Sequence, residues 1–177
     1  MARPRKGIAY RFLERPYTRF SKYSAKSFVR ARPTCRVVRF DMGVDNKSFS
    51  HALTLVAHDP VQIRDIALES ARQSSNRWLE KSLPKSEYKF KLMAYPHHIL
   101  RENPLAAGAG ADRLSTGMAH PYGKPIGLAA QVKVGKTLMR IEMNENNIGV
   151  GRKALKRASH KLPGQFSVLV KKVAVKV

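Results

Sequence analysis

Acidic residues and cysteine are what this sequence lacks most. Twelve Asp and Glu stand against 34 Lys and Arg in 177 residues, a formal net charge of +22. Like charge at that density repels itself within one fold and calls for a polyanionic partner. The single cysteine, Cys35, excludes an intrachain disulfide and a cysteine-rich zinc site, and fits a reducing compartment. No run approaches the roughly eighteen apolar residues of a membrane helix. The opening Met1-Ala2-Arg3-Pro4-Arg5-Lys6 lacks the apolar core of a signal peptide, so no membrane partner is expected. Hydrophobic residues still make up 43% of the chain, enough for a real core.

Reactive clusters are equally sparse. His51, His58, His97, His98, His120 and His160 form no i, i+4 pair on a helix and have no acid at ligand spacing, so no metal is expected. Cys35 has no catalytic context. Gly108-Ala109-Gly110-Ala111-Asp112-Arg113 invites a nucleotide-binding reading. It lacks the Gly-Lys-Ser/Thr of a P-loop, and it lacks the third glycine and leading strand of a dinucleotide fingerprint. No catalytic residue and no cofactor are expected, and the protein reads as a non-enzyme. Small residues there suit a backbone that approaches RNA closely.

The charge is uneven. Residues 1–40 hold 12 basic residues and one acid, net +11. Residues 41–100 hold eight basic and seven acidic residues, net +1, and residues 101–177 hold 14 and four, net +10. The near-neutral middle can pack as a globular core, while the flanks suit phosphates. Residues 1–33 form an extended basic arm without helical or strand period, interrupted by Pro4, Pro16 and Pro33. Tyr10, Phe12, Tyr17, Phe20, Tyr23 and Phe28 alternate with cations, a pattern for stacking on bases while Lys and Arg meet phosphates. The RNA-binding candidates in the arm are Arg3, Arg5, Lys6, Arg11, Arg15 and Arg19. Lys22, Lys26, Arg30 and Arg32 continue the series, with Arg36 just beyond it.

Residues 34–177 read as one α/β domain. Cys35–Phe40 predicts a strand, and Phe49–Ala57 a second. Asp59, Pro60 and Gln62 have the spacing of a helix start, with Ile63, Ile66, Ala67, Ser70, Ala71, Ser74 and Trp78 as its packed face. Lys85–Tyr95 alternates, burying Tyr88, Phe90, Leu92 and Ala94. Residues 104–127 form a long inserted loop rich in glycine and proline, a length that is usually functional. Leu128–Val134 and Leu138–Met143 predict a hairpin about Gly135-Lys136. A helix over about 147–161 buries Ala154, Leu155, Ala158 and Leu162 and exposes the RNA-binding candidates Lys153, Lys156, Arg157 and Lys161. Gly149 and Gly151 weaken its start. Phe166–Val170 predicts a last strand.

Six segments then occur in order. They are Arg39-Phe40-Asp41-Met42-Gly43, Leu68-Glu69-Ser70-Ala71-Arg72 with Asn76-Arg77, Pro96 to Asn103, Gly108 to Met118 (GAGADRLSTGM), Gly123-Lys124-Pro125, and Ala154 to Ala158 with Lys161 to Gly164. In these the chain resembles the universal large-subunit ribosomal protein family known as L sixteen in bacteria and L ten-e in archaea and eukaryotes. The resemblance covers about residues 3–170. The chain stops soon after its last strand, without the long extension of eukaryotic members, as an archaeal-type member would.

The resemblance implies an α+β fold of the α/β-hammerhead kind, a single domain with two helices against a mixed sheet. It implies a structural constituent of the cytoplasmic large ribosomal subunit, bound to large-subunit ribosomal RNA near the 5S rRNA, among neighbouring large-subunit proteins. It places the protein beside aminoacyl-site tRNA, with a loop corresponding to 101–123 reaching toward the peptidyl-transferase region. Carried onto this sequence, the tRNA-proximal positions are Arg101, Gly108, Gly110, Asp112, Arg113, Gly117 and Lys124. Two departures lower the charge of this loop: Pro104 stands where relatives often carry Lys, and Ala119-His120-Pro121-Tyr122 replaces a segment that usually begins with Arg. A free-standing basic nucleic-acid-binding protein is the alternative. It would explain the charge but not the neutral middle or the long loop.

Overall fold

The computed structural model describes residues 4–18, 23, 29, 32–106 and 108–173. The strands are Asp41–Gly43 (β1), His51–Ala57 (β2), Val61–Arg64 (β3), Tyr88–Leu92 (β4), His98–Glu102 (β5), Lys124–Val132 (β6), Thr137–Met143 (β7) and Phe166–Lys172 (β8). The helices are Asp65–Ser82 (α1), the single turn Ala111–Leu114 (α2) and Ile148–Ser159 (α3). The expected α+β class with two substantial helices stands.

The strands make two sheets, ordered β1-β4-β7-β2-β8 and β3-β6-β5. In place of the expected mixed sheet, every pairing among the described residues is antiparallel. The expected hairpin is also corrected. β6 pairs with β3 and β5 while β7 pairs with β2 and β4, so the Gly135 turn carries the chain from one sheet to the other. The turn chemistry is legible, but a turn does not say which strands will pair.

Alternation in β4 buries Tyr88, Phe90 and Leu92, as expected, and register carries that inner face onto Ile141, Leu53 and Val170 of successive strands. α1 and α3 cover it. Gly151 lets α3 come close, because a Cβ there would lie 2.7 Å from the Met143 sulfur and 3.0 Å from Leu53 Cδ2. This glycine therefore does more than weaken the helix start. Val61, Ile63, Ala130 and Val132 of the smaller sheet join the same core.

Three further expectations change. Asp59 and Pro60 form a turn, not a helix start: Val61 and Ile63, alternating with Gln62 and Arg64, make a strand first. The helix opens instead with the buried Asp65, an acid placed well for the helix dipole. Its buried face is accordingly rotated to Leu68, Ala71, Arg72, Ser75 and Leu79, leaving Ile66 36% exposed. Cys35–Phe40 does not pair as a strand. It runs extended beside α1, where the Arg36 and Val38 amides donate to the Asp65 and Glu69 carboxylates at 3.3 Å each. The i, i+4 rise of a helix, about 6 Å, nearly equals a two-residue step of extended chain, so the carboxylates replace a ladder.

Candidate nucleic-acid interface

α3 is amphipathic by simple spacing. Gly151, Ala154, Leu155 and Ala158 are buried, and Arg152, Lys153, Lys156 and Arg157 are exposed. None of these four cations is in an ion pair among the described residues. The outer face of the larger sheet is different. There Lys89 meets Asp45 at 3.0 Å, Lys91 meets Asp41 at 3.2 Å and Arg140 meets Glu142 at 2.8 Å. Three cations of that face have acidic partners, whereas the four on α3 have none among the described residues.

Between α1 and α3 lies an open cleft of about 480 Å³, walled by Ser70, Gln73 and Arg77 on one side and Arg157, His160 and Lys161 on the other. The Arg157 guanidinium carbon sits 3.8 Å from the centroid of Trp78, a cation–π contact that restrains the side chain. His160 and Lys161 also border a second opening of about 290 Å³ shared with Arg11 and Arg64. The structure thus joins three candidates, Arg157, Lys161 and Arg11, into one basic surface, with exposed Lys153 and Lys156 alongside. Sequence reasoning misses Arg64, Arg77 and His160. A signal exists for Arg77: Ser70, Ser74 and Arg77 fall at i, i+4 and i+7, which is a polar stripe, whereas small serines also read as a packing face.

The described part of the arm lies across the smaller sheet. The Gln62 amide donates to Arg11 O at 2.9 Å on β3, Gln131 Nε2 to Glu14 O at 2.8 Å on β6, and the Ile99 amide to Tyr17 O at 3.2 Å on β5. Gln62, expected in a capping box, instead seats the arm: its Nε2 donates to Tyr10 O at 3.0 Å and its Oε1 accepts from Gln131 at 3.0 Å. Two arm candidates are engaged by the protein itself. Arg5 pairs with Glu102 at 2.6 Å, and Arg32 donates to the Tyr95 hydroxyl at 3.1 Å. Lys6, Arg11, Arg15 and Arg36 are exposed. Arg3, Arg19, Lys22, Lys26 and Arg30 lie outside the described residues.

The long loop is fixed at its root. Arg101 is half-buried against two rings, 4.6 Å from the centroid of Tyr17 and 3.8 Å from that of Tyr122, which themselves meet edge-on at 5.5 Å. At φ +82°, Gly123 passes so close to β5 that a Cβ would lie 2.7 Å from the Glu102 carbonyl carbon. Asn103 Nδ2 donates to Gly117 O at 3.1 Å across the loop. Gly108, Gly110 and Gly117 also have positive φ but open space around them. Arg113 and Lys124 are exposed; the side chain of Asp112 lies outside the described residues. Arg101 is thus separated from the other loop candidates, because its guanidinium is engaged by Tyr17 and Tyr122.

These features define a class: a basic α+β protein whose chemistry lies in surface charge and shape. No group of three or more His, Cys, Asp or Glu able to hold a metal occurs among the described residues, and no described helix is long and apolar enough to cross a membrane. The family model described as Ribosomal protein L16p/L10e matches residues 14–169. The chain is 44% identical to the large ribosomal subunit protein uL16 of Archaeoglobus fulgidus, covering 92% of this chain and 90% of that protein. It is 43% identical to that of Methanocella arvoryzae over 90% and 94%, and 40% identical to that of Methanococcus maripaludis over 92% and 91%. The chain belongs to the L16p/L10e family of ribosomal proteins and is of its archaeal type. It is a structural constituent of the ribosome and not an enzyme.

Proposed function

We propose that this protein sits in the large ribosomal subunit, bound to its ribosomal RNA through the arm and the α3 face, and helps position tRNA with its long loop. The observation that carries the reading is the bare cationic surface running from Lys153, Lys156 and Arg157 through Lys161 to Arg11. Without acids to pair with among the described residues, these side chains gain most from phosphates. The arm, residues 1–33, and the α/β body, residues 34–177, act as two RNA-binding parts of one unit. Arg113, Lys124 and the open glycines Gly108, Gly110 and Gly117 form the part of the loop offered to tRNA. Arg101 positions the root of that loop. The 5S rRNA and adjoining large-subunit proteins complete the surroundings in this reading, and the relatives' names support the large subunit as the location.

The test is a salt titration of the full chain on large-subunit rRNA fragments. A protein neutralising roughly six to ten phosphates loses about 10³–10⁵ in affinity between about 50 and 200 mM salt. A flat response would show that the charge serves something other than RNA.

A further inference from the structure

The cleft between α1 and α3 offers more than charge. One wall is the Arg157 guanidinium, exposed on the cleft side and backed at 3.8 Å by Trp78. A delocalised guanidinium held against an indole can stack on a second ring, and it loses little rotamer freedom in doing so. The opposite wall carries Gln73, whose Nε2 donates to Glu69 at 2.9 Å, leaving its Oε1 directed by that bond and able to accept. Arg77 and Lys161 border the same space, and no acid lines it among the described residues. A volume of about 480 Å³ suits one small ligand and is far too small for a duplex.

We propose that this cleft receives one unstacked nucleotide of RNA, its base lying on Arg157 and its phosphate held by Arg77 and Lys161. Gln73 accepts a hydrogen bond from an exocyclic amino group on the base, which favours adenine, cytosine or guanine over uracil. Stacking on aromatic and guanidinium planes is how proteins commonly take up splayed-out RNA bases, whereas paired bases keep their faces hidden. The inference rests on the RNA-binding reading above and adds to it a choice of RNA shape: a bulge or loop nucleotide instead of continuous helix.

Trp78 is the sole tryptophan of the chain, so its fluorescence reports on this stack directly. The full chain is titrated with a hairpin RNA carrying one bulged adenosine, and with the same hairpin lacking the bulge. The bulged RNA should bind about tenfold more tightly and shift Trp78 emission, while the unbulged RNA leaves emission unchanged. Arg157→Lys keeps the charge but removes the plane, and should bring the affinities for the two hairpins to within about twofold of each other. Equal affinity for the two hairpins, or a preference that survives Arg157→Lys, overturns the inference and leaves the RNA-binding reading standing. Binding of neither hairpin overturns both.

Discussion

His98 is 3% exposed, and its Nδ1 accepts the Tyr17 amide hydrogen at 2.9 Å. That bond needs an unprotonated nitrogen. Burial is the chief reason the ring's pKa falls below its ordinary 6.5, with the charges of His97 and Arg101 acting the same way and Glu14 opposing them. The folded state therefore favours neutral imidazole, and the unfolded chain takes up the extra proton. The stability this provides is complete above 6.5 and is lost as pH falls through the lowered folded value. Thermal melts of the full chain at constant ionic strength should show a loss beginning below about pH 6.5. His98→Gln, which can still accept from Tyr17 but cannot titrate, should remove that part of the pH dependence. Superimposable pH profiles for the two proteins would exclude His98 as the cause. Glu69 acts in a lower window, since the hydrogen bond from Arg72 at 2.5 Å holds its carboxyl below the usual 4.5. Its contribution is present above that value and fades as pH drops further.

Among the elements, the long loop separates seat from action. Leu105 and Met118 are 55% and 71% exposed, so the loop lends little to the core. Its root, by contrast, is built: Arg101, Tyr122 and Gly123 are locked by stacking and close backbone approach. Replacing residues 105–121 with a short Gly/Ser linker keeps that root and should cost the fold only about 1 kcal/mol, because closure entropy varies slowly with length. Subunits reconstituted with the shortened protein should incorporate it, yet bind tRNA weakly and make peptide slowly. Full activity would make the loop dispensable, and exclusion from the subunit would make it an anchor. What the sequence discloses about elements follows the strength of each local pattern. β4 is readable because strict alternation puts Tyr88, Phe90 and Leu92 on one side, and α3 because Ala154, Leu155 and Ala158 leave a clear cationic remainder. The start of α1 misleads because Asp59-Pro60 serves a turn as well as a helix cap. Its face misleads because the helix buries Asp65, Glu69 and Arg72, charged groups that periodicity assigns to solvent until their partners are known. The cleft on α1 escapes for the same reason, and β5 because His98–Glu102 has no alternation to show.

Across the whole molecule the net charge of +22 conceals a division. Lys89 and Lys91 already face acids on the outer sheet, whereas Lys153 and Lys156 face none among the described residues. Lys153→Ala with Lys156→Ala should therefore lower the salt slope of rRNA binding by roughly 0.7–0.9 for each phosphate left without its cation. Lys89→Ala with Lys91→Ala should leave the slope unchanged. Equal effects from the two pairs would mean that RNA meets both sides. The arm carries a consequence of another kind. Its docking partners, Gln62, Ile99 and Gln131, come from three separate strands, and β6 is complete only at Val132. A chain made from its N-terminus must finish three quarters of its length before its first residues have somewhere to rest, and contacts this distant in sequence form slowly. The part synthesised first must wait for β6, and during that interval its cations are free to meet whatever RNA is at hand.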